Sequence, residues 1–131
     1  MKWTHEKAFA YFNVTPRNNQ WSWSGRNEET QTVVLTIWQD GWRREGNKFV
    51  YERRHDAGGT SKPGFKFFVD DMQWALEHCD GVFNVIMARA EDVHAVPRKI
   101  AECWPRDKNL RMKIREFDPA IGFLAAETVA Q

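Results

Sequence analysis

Cysteine is scarce in this chain. Cys79 and Cys103 are the two in 131 residues, too few and too unframed to staple a small secreted fold, so a reduced, cytoplasmic protein is expected. Long apolar runs are missing as well. The longest uncharged apolar stretch, Gly81 to Ala88, falls far short of the roughly 20 residues that a membrane-spanning helix needs, and no membrane partner is expected. Met1 to Lys7 carries neither an apolar core nor a small-residue cleavage site and does not read as an export signal. Without one, the glycosylation spacing Asn13-Val14-Thr15 has no weight. Nor is there a bulk excess of one charge, since 19 Lys and Arg face 18 Asp and Glu.

The motifs of several chemistries are absent too. The chain has no glycine-rich phosphate loop of the Walker or dinucleotide type, and His5-Glu6 lacks the second histidine of a zinc protease. His78, Cys79, His94 and Cys103 include no Cys-x-x-Cys pair, so no metal site is assigned. Cys79 falls on an apolar helical stripe, where a thiol is inert packing. His55 and Asp56 are neighbours that an extended backbone points to opposite sides, which works against a base and its orienter. The pairs Asp70-Asp71 and Glu91-Asp92 suit either magnesium in a small nuclease or, more simply, a helix cap and a solvated loop. No catalytic residue and no cofactor are therefore assigned.

What the chain has in excess is tryptophan, seven in all, with two in Gln20-Trp21-Ser22-Trp23-Ser24. Its length fits a single domain over residues 1–131 that buries about two-thirds of its extended surface. Counted by segment, charge becomes informative: residues 42–66 hold seven cations and three anions, 67–95 one and six, and 96–115 seven and two. Two basic blocks flank an acidic one. They either attract phosphate or neutralise one another within the fold.

Phe9 to Val14 is short and aromatic and reads as a strand, ended by the turn Thr15 to Asn19. Gln20 to Ser24 alternates, which sets Trp21 and Trp23 on one face of a second strand, and polar Gly25 to Gln31 reads as a turn. Thr32 to Gln39 is apolar on both faces, as an interior strand requires, and is expected to form a hairpin with Phe49 to Arg53. His55 to Gly64 reads as a loop. Phe65, Phe68, Val69, Met72, Ala75, Leu76 and Cys79 follow helical spacing from near Pro63. The capping-box pair Asp70 and Gln73, stapled by Val69 and Trp74, favours a shorter helix with Phe65 to Val69 extended and a stop at Gly81. Gly81 to Ala88 reads as an interior strand, and His94 to Pro105 as an irregular connector with one helical turn. Leu110 to Arg115 alternates cleanly and joins Phe123 to Glu127 through the turn Asp118 to Gly122. The expected fold is α+β, a strongly curved, mostly antiparallel sheet or small barrel with one main helix.

The succession Trp21-Ser22-Trp23, Val34 to Asp40, a capped helix, Gly81-Val82-Phe83, Pro97-Arg98-Lys99-Ile100 and a terminal hairpin is similar in layout to the PUA-like barrels, which include the SRA, EVE and YTH domains. The resemblance implies a binding module that reads RNA or modified bases in an aromatic-lined pocket and performs no chemistry.

The residues themselves accommodate such a ligand. Trp21, Trp23, Trp38 and Trp42 offer stacking faces, Asn18, Asn19, Ser22, Gln39 and Asp40 offer groups to read a base edge, and Arg17, Arg26, Arg43 and Arg44 offer phosphate contacts. Arg111, Lys113 and Arg115 alternate on one face of a strand, where they either track a phosphate backbone or keep the strand soluble. The expected function is noncovalent binding of nucleic acid or a modified base. The alternatives are a module that binds a protein partner or forms a homodimer, with aromatic and arginine hot spots, and a small metal-dependent nuclease.

Overall fold

The computed structural model describes residues 2–16, 23–55, 63–95 and 98–129. Its fold is α+β. A short helix α1 (His5–Tyr11) precedes β1 (Ser24–Asn27) and β2 (Thr32–Trp38), and a three-residue 3-10 turn (Gln39–Gly41) leads into β3 (Trp42–Glu45) and β4 (Lys48–Arg54). There follow α2 (Pro63–His78), β5 (Val82–Ala90), β6 (Ile100–Pro105), β7 (Arg111–Asp118) and β8 (Phe123–Thr128).

All eight strands belong to one mixed sheet in the order β1-β2-β5-β7-β8-β4-β3, with β6 paired to β5 beside that path. β2 and β5 run parallel, Trp38 beside Ala88, and the other pairs are antiparallel. β5 is shared at its far edge, pairing with β7 through Val82 to Asn84 and with β6 from Ile86 onward. No ladder among the described residues joins β3 back to β1, so the sheet is open and is not a closed barrel.

It is nevertheless strongly curled, and chain connectivity requires it. β2 and β3 lie five steps apart in the sheet, about 24 Å if it were flat. Yet Trp38 and Trp42 are joined through only three residues, a span of at most about 14 Å. The ends of the sheet must come round toward each other. Tyr51 of β4 accordingly reaches the backbone of β2, its hydroxyl accepting from the Trp38 N–H at 3.4 Å. Leu35, Ile37, Tyr51, Phe68, Met72, Phe83, Met112 and Leu124 are fully buried in the core.

The two helices lie on opposite faces of β1. A side chain at Gly25 would meet Val14 at 2.7 Å and the Phe9 ring at 3.5 Å, so glycine lets α1 sit close against the strand. The neighbouring Ser24 points the other way, donating to Asp71 of α2 at 2.6 Å. Asp71 is fully buried and also accepts from Arg26 at 3.1 Å, while Asp70 accepts from Arg26 at 2.9 Å.

Several expectations are corrected. Phe9 to Tyr11 belongs to a helix, because Thr4 caps it by accepting from the Lys7 N–H at 3.1 Å and Phe9 and Phe12 bury the same side. α2 takes the longer form from Pro63: Asp70 and Asp71 answer Arg26 and Ser24 on β1 and do not start a helix. Ile100–Pro105 is a strand, and Gly25–Asn27 is part of β1. β2 forms no hairpin with β4; Gly46-Asn47 closes a tight hairpin between β3 and β4, with Glu45 opposite Lys48. The expected stop at Gly81 is present, its N–H bonded back to the Ala75 carbonyl at 2.9 Å.

Removing the buried carboxylate by Asp71→Ala should destabilise the protein by about 3 kcal/mol, since buried Ser24 loses its acceptor and Arg26 loses the one of its three carboxylate partners that is buried. Asp70→Ala, at an exposed partner of the same arginine, should cost less than about 1 kcal/mol. Urea denaturation of the two variants checks the contrast, and equal effects would show that burial at Asp71 is not what ties α2 to β1.

Candidate functional site

The densest gathering of aromatic and charged groups lies where β2 ends. Alternation along β2 puts Thr36 and Trp38 on the side of α1. Trp38 packs against Trp23, ring centroids 5.0 Å apart and tilted by 53°, and the Thr36 N–H donates to the Trp23 carbonyl at 2.8 Å. Trp38 is only 5% exposed. Two guanidinium groups cover it, Arg98 at 5.2 Å and Arg53 at 6.0 Å from the ring centre.

Arg98 is held by a fork. Its two terminal nitrogens donate to the Asp40 carboxylate at 2.7 and 2.9 Å, the arrangement in which arginine binds a carboxylate most firmly. The hydrogen bonds from Arg98 hold the Asp40 carboxyl below its usual range against the opposing effect of partial burial. Asp40 is thus an ionised, oriented acceptor whose side chain stays 39% exposed, whereas that of Arg98 is 11% exposed. Arg53 enters no ion pair among the described residues.

Beneath this rim, His5 Nε2 lies 2.7 Å from Thr36 Oγ1, and the imidazole stacks on Phe9 at 4.8 Å and meets Trp23 edge-on at 6.1 Å. Burial lowers the His5 pKa to about 4. On the inner side the Tyr51 hydroxyl lies 3.3 Å from His55 Nε2, and burial pushes the phenol upward, so it stays protonated.

The structure therefore brings Trp23, Trp38 and Asp40 together, with exposed Gln39 next to Asp40 in the turn. It separates the others. Trp42 stacks flat on Phe49 at 4.8 Å with Arg106 over it at 5.5 Å. Arg26 is occupied by Glu28, Asp70 and Asp71, and Arg43 by Glu52 at 3.0 Å and Glu45 at 3.7 Å. Arg44 is exposed and donates to the Gly46 carbonyl. On β7, Met112 and Ile114 are buried while Arg111, Lys113 and Arg115 are exposed, and the alternation ends only after Arg115, at exposed Glu116, where the register shifts. Lys113 lies 3.1 Å from Asp80, and Arg115 3.8 Å from Glu127, whose carboxyl is held low by Lys48. Arg17, Asn18, Asn19, Trp21 and Ser22 lie outside the described residues.

Sequence reasoning missed His5, Arg53 and Arg98. Arg98 had one signal, its place in Pro97-Arg98-Lys99-Ile100; the other two meet Trp23 and Trp38 only through the fold.

No protein-family model matches the chain, and no curated protein or solved structure does so.

A neutral, buried His5 makes stability depend on pH with a definite sign. Between its ordinary pKa near 6.5 and about 4 the unfolded chain takes up a proton that the folded one refuses, so stability falls as pH falls through that window. The loss should approach roughly 3 kcal/mol and be absent in His5→Gln. Urea midpoints of both proteins from neutral to acid pH check this, and parallel pH profiles would exclude His5 as the source.

Proposed function

We propose that this chain reads nucleic acid without chemistry, taking one nucleotide, unpaired or modified, at the rim formed by Trp23, Trp38, Arg53 and Asp40. The observation that carries the reading is the convergence of two guanidiniums and one ionised, partly exposed carboxylate on a tryptophan pair. A base needs a flat face, an edge reader and a cation for its phosphate. Half-buried Trp23 supplies the face, and Asp40, an acceptor only, selects an edge that presents N–H donors. Arg53 supplies the cation. Arg98 acts through Asp40 and Trp38 by fixing both.

The PUA-like layout belongs to the same proposal. It is supported by a curled sheet that wraps a packed interior and leaves an aromatic rim at one end of β2.

Titrating the protein with short single- and double-stranded DNA and RNA, with and without modified bases, tests the reading through tryptophan fluorescence. Saturable quenching that weakens with salt is expected. Trp23→Ala should cost tenfold or more in affinity, on the order of one stacked base, and Arg53→Ala should flatten the salt dependence. Quenching by no oligonucleotide, or binding that Trp23→Ala leaves intact, would overturn it.

A further inference from the structure

A second aromatic surface lies on the outer side of α1. Trp3 meets Tyr11 edge-on at 6.0 Å, and Lys108 sits over the Tyr11 ring at 5.1 Å. Trp3 also lines a cleft of about 580 Å³ whose wall includes Trp104 and Cys103 of β6, and which Lys2, Arg89 and Glu102 border. The small side chains of Ala101 and Cys103 line it as well. Tyr11 is 38% exposed, and Trp3 and Trp104 are half-buried. Trp3 and Trp104 pack against the core on one side and border the cleft on the other. The rings line one continuous surface from Trp104 through Trp3 to Tyr11.

That surface carries both signs, Glu102 lining the cleft and Asp107 preceding Lys108, and its cations differ in whether they are paired. Lys2, Lys7 and Lys108 enter no ion pair among the described residues, and Lys7 precedes Tyr11 by one turn on the same side of α1. Arg89 is paired with Glu102 at 3.0 Å. The acid of the neighbouring loop, Asp107, is engaged by the Asn109 N–H at 2.7 Å. Burial, and then Glu102, raise the pKa of Cys103, so its thiol is neutral wall and not a nucleophile.

Flat rings beside an open cleft, with Lys7 and Lys108 entering no ion pair among the described residues, match the needs of an unpaired strand: faces for bases and charge for the phosphates between them. We propose that the surface formed by Trp104, Trp3, Tyr11, Lys7 and Lys108 is a binding track for single-stranded nucleic acid, separate from the rim at Trp23 and Trp38. A duplex keeps its bases stacked inside and offers these rings nothing. The track stands on its own residues and does not require the rim to bind a base.

Fluorescence anisotropy of a labelled oligothymidylate of about twelve nucleotides, added to the full chain at several salt concentrations, tests the track. Tyr11→Ala, at an exposed position, should weaken binding about tenfold. Lys7→Ala combined with Lys108→Ala should reduce the slope of log affinity against log salt by about 1.4, the loss of two phosphate contacts on a single strand. A matched duplex should bind more weakly. The track is overturned if the oligonucleotide does not bind, if binding ignores salt, if the duplex binds equally well, or if these variants behave as wild type. Trp23→Ala in the same assay separates the two sites. Weakening by Trp23→Ala alone overturns the track and leaves the rim; weakening by Tyr11→Ala and the lysine pair alone supports the track and excludes the rim from binding this unmodified strand.

Discussion

Most of this structure follows from one covalent constraint, the three-residue link between β2 and β3. Two strands that stand five places apart in a sheet cannot be joined by so short a segment unless the sheet bends back on itself. The bend creates an interior. It also creates a seam where β2, the 3-10 turn and β4 meet without strand pairing. Groups at such a seam cannot satisfy their backbone through a ladder, and Tyr51 does it with a side chain by accepting from the Trp38 N–H. Gly41 belongs to the same solution, because a β-carbon there would meet the Tyr51 ring at 2.8 Å.

The candidate site is a product of that seam. Trp38 ends β2 just as the chain turns away, so its ring is roofed not by another strand but by arginines from β4 and from the segment before β6. An arginine so enclosed needs a fixed counter-ion, which Asp40 supplies from the turn that makes the bend. The residues that curl the sheet are thus the ones that orient the carboxylate and cover the ring. Fold and site share one cause.

How far the sequence disclosed this depended on whether a signal was local. β2, β5, β7 and β8 were legible because apolar runs and alternation are intrinsic to the segment, as in Leu110 to Arg115. Phe9 to Tyr11 was misread because aromatic content suggested a strand, while the Thr4 cap and the Phe9–Phe12 spacing carried the helix. The capping signal at Asp70 was a tertiary contact in local disguise, its carboxylates being placed for Arg26. Of the site, Trp23, Trp38 and Asp40 were legible from residue type beside a strand end. Arg53 and Arg98 were not, since 45 positions and most of the fold separate them in sequence and only the curl brings both to one ring.

The abundance of tryptophan then has a physical sorting. Among the described residues only Trp38 is fully enclosed, and the others sit half-buried. Arg26 over Trp74 is closed, because Asp70 and Asp71 consume its charge and the stack welds α2 to β1. Arg98 over Trp38 is closed by Asp40 in the same way. Arg53 over Trp38 forms no ion pair among the described residues but acts on the Asp40 carboxylate through space, whereas Arg106 over Trp42 and Lys108 over Tyr11 are different: each lies on an aromatic ring and enters no ion pair among the described residues. A ring attracts a cation weakly in water and leaves its charge uncompensated, so an anion that arrives can gain the full attraction without displacing a carboxylate. Neutralised cation–aromatic pairs hold this fold together, and those without a counter-ion are where a phosphate has something to gain.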